Sequence, residues 1–250
     1  MNGFIGFGNL AGSVVAGFLD KKVIKPGDFA VFDKSDAAIS KANSLGIRVY
    51  TDLAAMVYDC DRIFLAVKPW VFAELLEGFD RDLFKGKTVV SFMACYPLEK
   101  LESDVPAERI VRIIPTIAIK FGEDTIALAS NHENVSDIIE LFENLGQVHH
   151  VSEDMLDRIM IGASSGLGFA AEMLDMYEKA LCSMGLSREL AHDITAATFR
   201  NAARFEDFAD LASRVATKGG VTEKGLWVMR EENMAKTVEK AIKTAENVIK

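Results

Sequence analysis

The residues with the clearest chemical meaning come first in the chain, as Gly6-Phe7-Gly8-Asn9-Leu10-Ala11. This is a G-x-G-x-x-A pattern between an apolar run that reads as a strand and a stretch that reads as a helix. Gly6 permits a tight turn, Gly8 lets a backbone approach an anion with no side chain between, and Ala11 lets helix and strand pack closely. The N–H groups of the following helix start, Asn9 and Leu10 among them, then face a negative group along the positive end of the helix dipole. The chemistry so described is the grip of a dinucleotide pyrophosphate. At the end of the next strand stands Asp33, followed by Lys34 and Ser35. A carboxylate there accepts ribose hydroxyls, which favours NAD. A lysine and a serine there hold a 2′-phosphate, which favours NADP. Both readings stay open at the level of sequence, with NADP the expectation and NAD the alternative.

Other chemistries find little support. The four histidines, His132, His149, His150 and His192, have no partner spacing, and no Ser/His/Asp set or metal-ligand cluster is present. No metal is expected. Cys60, Cys95 and Cys182 are scattered, which argues against a disulfide framework or a zinc site and fits a reducing compartment. A net charge of -9 disfavours nucleic acid or an anionic membrane as partner. No basic leader precedes the first strand and no apolar run approaches the roughly 20 residues that span a bilayer, so the expectation is a cytoplasmic protein.

The elements that must position these groups fall into two regions. Strands are read over residues 4–7, 28–32, 49–50, 62–67, 88–92, 109–114, 124–129 and 147–151. Helices are read over 10–21, 37–45 and 135–145. Strands spaced by helices imply crossovers and a doubly wound, mainly parallel sheet. Beyond residue 152 the periodicity is helical almost throughout, with helices expected over 170–184, 188–205 and 234–249. Gly185 is placed to end the first of these and Ser187 to cap the second. The fold class is α/β: a Rossmann-type dinucleotide-binding domain over residues 1–151, then an all-helical domain over 152–250.

Several segments together resemble the pyrroline-5-carboxylate reductase family, whose members complete proline synthesis by reducing a cyclic imine. Residues 4–11 look like its opening fingerprint, and Leu65-Ala66-Val67-Lys68-Pro69 like its Val-Lys-Pro signature at the nicotinamide end of the cleft. Gly185-Leu186-Ser187-Arg188-Glu189-Leu190-Ala191 and Thr198 follow its long helices. Val215-Ala216-Thr217-Lys218-Gly219-Gly220-Val221-Thr222 falls where the family has its substrate loop. The resemblance covers essentially the whole chain.

It implies a reductase that moves a hydride from NADPH or NADH to a cyclic imino acid, 1-pyrroline-5-carboxylate first of all. The implied cofactor contacts are Gly6, Gly8, Asn9, Leu10, Asp33, Lys34, Ser35, Ala66, Val67, Lys68, Pro69 and Ala94. The amides of Gly219 and Gly220 can cradle a carboxylate, with Thr217, Lys218, Ser165 and Gly166 beside the substrate and Thr222 polarising the ring nitrogen. Asp175 sits where relatives carry an acidic residue that favours the iminium form. The family's helical domain forms an intertwined dimer, so a homodimer or larger homo-oligomer is expected. Three positions depart from the family pattern: Thr116 replaces an asparagine, Leu167 a proline, and Lys218 the proline of the substrate loop. They leave the exact substrate open. Two other readings remain: a relative that keeps NADP binding but has lost turnover and serves regulation, and a hydroxyacid-type dehydrogenase. The second needs a lysine early on the first long helix; residues 162–175 contain none, and Lys179 comes too late.

Overall fold

The computed structural model describes residues 1–249. Eight strands form one sheet: β1 (Asn2–Ile5), β2 (Phe29–Phe32), β3 (Arg48–Val49), β4 (Arg62–Leu65), β5 (Thr88–Ser91), β6 (Arg109–Ile114), β7 (Asp124–Ser130) and β8 (Gly146–His150). Their order across the sheet is β3-β2-β1-β4-β5-β6-β7-β8. The first six run parallel, β7 turns antiparallel to β6, and β8 is parallel to β7. The strand order reverses between β1 and β4. At such a switch point two connections leave in opposite directions and open a crevice at the carboxyl ends of the strands.

The helices α1 (Asn9–Asp20), α2 (Asp36–Ser44), α3 (Leu53–Asp59), α4 (Pro69–Leu76), α5 (Leu98–Asp104), α6 (Ser136–Glu143) and α7 (Glu153–Met160) separate the strands or follow the last. Two cores result, one on each face. Phe4, Phe64 and Val90 point to one, with Phe18 and Phe142 from α1 and α6. Ile5, Ile63, Leu65 and Val89 point to the other, with Met56, Phe72 and Leu101 from α3, α4 and α5. Strands covered on both faces read as unbroken apolar runs, which is why they carry no alternating pattern. Phe4 and Phe64 stack at 4.5 Å between centroids directly below the crevice, in addition to the area they bury.

The compact N-terminal unit runs from Met1 to Ser164, and the second begins at Ser165. The sequence expectation divides the chain at 151/152. The shift has a physical cause: α7 is anchored to the sheet by the buried Arg112 of β6, whose guanidinium reaches Glu153 at 2.5 Å and Asp157 at 3.0 Å. A five-residue π-helical segment, Ile161–Ser165, follows α7.

The second unit contains α8 (Gly166–Ser183), α9 (Arg188–Ala202), α10 (Phe208–Val215), α11 (Val221–Glu231) and α12 (Met234–Ile249). Ser187 caps α9 by accepting the Leu190 amide, as expected. The helix expected over 188–205 stops at Ala202, and α10 and α11 frame the glycine turn. Among the described residues of this unit only Ala191 and Thr195 are buried. Tyr177 and Phe199 meet edge to face at 5.5 Å between α8 and α9, while Met184, Phe208 and Trp227 stand open. No described helix is long and apolar enough to cross a membrane.

Candidate dinucleotide site and the glycine turn

β1 ends at Ile5, two residues before the expected end, and the chain turns at Gly6 with φ +92°. A Cβ there would lie 2.7 Å from the Val67 side chain and 3.0 Å from the Ala66 carbonyl, so only glycine lets β1 turn against the end of β4. At Gly8 an added Cβ would meet nothing within 4 Å. Here the glycine leaves the space over the turn open. Gly8 is also the residue before α1, and it supplies no side-chain cap. The first turn of α1 carries no acidic residue. Its leading amides are therefore available to an anion, with the helix dipole behind them.

An open cavity of about 800 Å³ lies over this turn. It brings together Gly6, Gly8, Asn9, Leu10, Asp33, Ala66, Val67, Lys68, Pro69 and Ala94, ten of the twelve residues expected to bind the cofactor. Lys34 lines a smaller adjoining slot of about 90 Å³ together with Asp33, Val67 and Val71. Ser35 is exposed next to it, at the start of α2.

The Asp33 carboxylate is engaged by the protein. Its Oδ2 accepts the Phe7 amide at 2.6 Å and its Oδ1 the Ser35 amide at 2.8 Å. Asp33 thus braces the glycine turn and the start of α2. Lys34 and Ser35 stay exposed beside it, a cation and a hydroxyl at a helix start, which suits a doubly charged phosphate.

Sequence reading missed several residues of the cavity wall: Trp70, Ile117, Met160 and Ser164. Trp70 follows Pro69 at once, and adjacency to the Val-Lys-Pro segment was the signal available. Met160 and Ser164 arrive from α7 and the π-helical segment, and no local pattern announces them. Thr116, one of the departures from the family pattern, points elsewhere. Its hydroxyl donates to Asp124 Oδ1 at 3.0 Å and accepts the Ala118 amide at 3.0 Å, so it is used up in capping the short helix Ile117–Phe121.

The residues expected at the substrate lie in the second unit. Gly219 adopts φ +75°, and a Cβ on Gly220 would fall 2.5 Å from Thr217 Oγ1, so both glycines are required by the turn. The Gly219 amide donates to Glu223 Oε2 at 2.6 Å and the Gly220 amide to the Thr217 carbonyl at 2.8 Å. The expectation that these two amides stand open for a carboxylate is therefore corrected. Glu223, in the first turn of α11, reaches back to the turn as a capping glutamate does. Thr217 and Lys218 are exposed, Gly220 precedes α11, and Thr222 is half-buried within it. Ser165 closes the π-helical segment and Gly166 and Leu167 open α8. Asp175 pairs with Lys179 at 2.5 Å on the surface of α8. His192 meets Glu178 at 2.9 Å, and no described group of side chains could hold a metal.

Comparison with known proteins places these features. Residues 153–250 match the family model for pyrroline-5-carboxylate reductase dimerisation, and residues 2–95 the model for NADP oxidoreductase coenzyme F420-dependent. The pyrroline-5-carboxylate reductase of Staphylococcus aureus strain COL is 26% identical, covering 97% of this chain and 94% of its own. The crystal structure of Plasmodium falciparum pyrroline carboxylate reductase with NADP bound superimposes with a TM-score of 0.89 at 22% identity, over 99% of this chain and 96% of that one. A Coxiella burnetii pyrroline-5-carboxylate reductase gives 0.84 at 24%, with the same coverage. These two likenesses show the fold.

Proposed function

From the premise that this chain is a divergent member of the pyrroline-5-carboxylate reductase family and an oxidoreductase that uses NADP, we propose that it reduces 1-pyrroline-5-carboxylate, or a close cyclic imino acid, to the saturated ring. The observation that carries the reading is the uncapped, glycine-cleared start of α1 beneath a cavity that gathers both fingerprint segments.

The residues fit the dinucleotide. The amides of Asn9 and Leu10 hold its pyrophosphate, and Lys34 and Ser35 hold the 2′-phosphate. When bound, the cofactor supplies the hydride. The protein's share is orientation and charge, because a protonated C=N is already electrophilic. The carbon of that bond gains the hydride and the nitrogen keeps its proton. Ala94 and the Lys68-Pro69 segment border the cavity at the ends of β5 and β4, and the Thr222 hydroxyl donates to the lone pair that the ring nitrogen gains as the hydride arrives. Thr217, Lys218, Ser165 and Gly166 take the substrate's polar groups. Lys218, exposed and without a partner among the described residues, is the cation for its carboxylate.

Among its described residues the second unit buries two, and it leaves large apolar side chains open. A helical unit of this size needs a covered apolar face, and that, with the match to a dimerisation family, supports a homodimer. The setting that fits this activity is the final step of proline synthesis in the cytoplasm.

The test is NADPH oxidation followed at the nicotinamide band with 1-pyrroline-5-carboxylate, beside a panel of cyclic imines. Turnover with the five-membered substrate supports the proposal. Tight NADPH binding without oxidation on any imine replaces it with a non-catalytic relative.

A further inference from the structure

We propose that Trp70 stacks on the adenine of the bound dinucleotide, which gives this chain an aromatic clamp at the end of the cofactor remote from the chemistry. The inference rests on the reading of the cavity as an NADP site and goes beyond it, since that reading assigns Trp70 nothing.

Pro69 begins α4 and Trp70 is the second residue of the helix. Trp70 is 64% exposed and lines the cavity that holds Gly6 and Gly8. Single exposed aromatics are ordinary, so position has to carry the argument. The next residue, Val71, borders both this cavity and the narrow slot that contains Asp33 and Lys34. That slot is mostly apolar: Asp33 and Lys34 stand beside Phe32 at the end of β2, and Val67, just before α4, forms the facing wall with Val71 and Leu75. An adenosine whose 2′-phosphate is held by Lys34 and Ser35 must direct its base toward the α4 wall, because Asp33 and the turn occupy the other side. The base then lies along the first turn of α4, within reach of residue 70.

Phe92 is the other aromatic side chain in the cavity wall, and its ring is committed. It is 7% exposed and sits 6.3 Å from Phe4 and 5.9 Å from Phe64. Trp70 has no ring partner among the described residues, so its face is free for a flat heterocycle. Stacking between a base and an aromatic side chain tolerates any base and is strong enough to be read in binding.

The experiment titrates the full-length protein with 2′,5′-ADP, which carries only the adenosine end, and with reduced nicotinamide mononucleotide, which carries only the other. Isothermal titration calorimetry reads affinity in every protein, because variants at residue 70 lose the indole that would report; in the parent, Trp70 fluorescence gives a second signal, Trp227 lying in the other unit. Trp70→Ala is expected to weaken 2′,5′-ADP and NADPH about ten-fold in the calorimetric titration. Trp70→Phe keeps a ring and is expected to stay within about three-fold of the parent, which separates stacking from a damaged fold. The nicotinamide mononucleotide should bind all three proteins alike. The inference is overturned if Trp70→Ala binds 2′,5′-ADP as the parent does, or if the mononucleotide loses as much affinity. Turnover is scored separately: a parent that binds 2′,5′-ADP through Trp70 but reduces no imine keeps the clamp and loses the reductase reading. A parent that binds no 2′,5′-ADP overturns both the clamp and the cofactor reading beneath it.

Discussion

Asp33 accepts the Phe7 amide at 2.6 Å, so a carboxylate at the tip of β2 holds the middle residue of the glycine turn. The usual role of an acid at this strand end is to receive ribose hydroxyls. Here its other oxygen also has a backbone donor, Ser35, and the carboxylate shapes the site from within. Asp33→Ala should therefore weaken NADPH and NADH together, by about ten-fold, as loss of a charge-assisted hydrogen bond would. Titration with both cofactors decides it. Loss confined to NADH would return Asp33 to the ribose.

Arg112 is 1% exposed and bridges Glu153 and Asp157 of α7, while Glu153 also accepts the Leu98 amide at 2.7 Å. The cluster ties α7 to β6 and to the segment entering α5. Removing the cation leaves two half-buried carboxylates repelling each other beside β6. Arg112→Met should cost about 3 kcal/mol in urea unfolding. Arg112→Lys should recover only part, since an ammonium lacks the fork that spans two acids. An unchanged unfolding midpoint for Arg112→Met would remove the bridge from the account of α7.

At the opposite end of the sheet from the glycine turn, Asp137 lies 2.6 Å from Arg109 and 3.0 Å from Arg62. The Arg109 hydrogen bond, helped by Arg62, holds its carboxyl below the usual range. A depressed folded-state value means that its stabilisation is full above the unfolded value, about pH 4, and fades as pH falls through the folded one. Asp137→Asn should flatten the acid limb of the stability curve and leave cofactor affinity at neutral pH untouched. A parallel acid limb in both proteins would contradict the assignment.

Burial pushes the Cys60 thiol up to about 11, so it stays protonated and inert near neutrality. Cys95 is exposed on the wall of the cavity over the glycine turn. Brief alkylation followed by peptide mapping should mark Cys95 and spare Cys60, and saturating NADP should protect Cys95. Equal labelling with and without NADP would place the cofactor away from the end of β5.

What the sequence made legible divides along physical lines. Gly6 could be read because its left-handed backbone and its contact with Val67 admit no other residue. Strand limits could not: Gly6 and Phe7 prolong the apolar run of β1 past Ile5, its last paired residue, and a strand covered on both faces gives no alternation to mark its end. The engagement of Asp33 was invisible because its partner is a main-chain amide, which leaves no trace in residue type. The same holds for Glu223, whose capping of the Gly219 amide closes part of the expected carboxylate cradle. Lys218 and Thr222 could be found only through the family pattern, since neither has a local signature. The end of the first unit at Ser164 rests on Arg112 and, 41 and 45 residues further on, Glu153 and Asp157, which look like solvated charges one at a time.

The central claim is that this protein delivers a hydride from NADPH directly to the carbon of a cyclic C=N bond. The measurement that tests it most directly uses NADPH carrying deuterium at the transferable position of the nicotinamide, with 1-pyrroline-5-carboxylate, and mass spectrometry of the product. The account predicts proline with one deuterium on the ring carbon that had been double-bonded to nitrogen, formed in step with the cofactor oxidised. Oxidised cofactor with unlabelled proline, or with no proline at all, would contradict it.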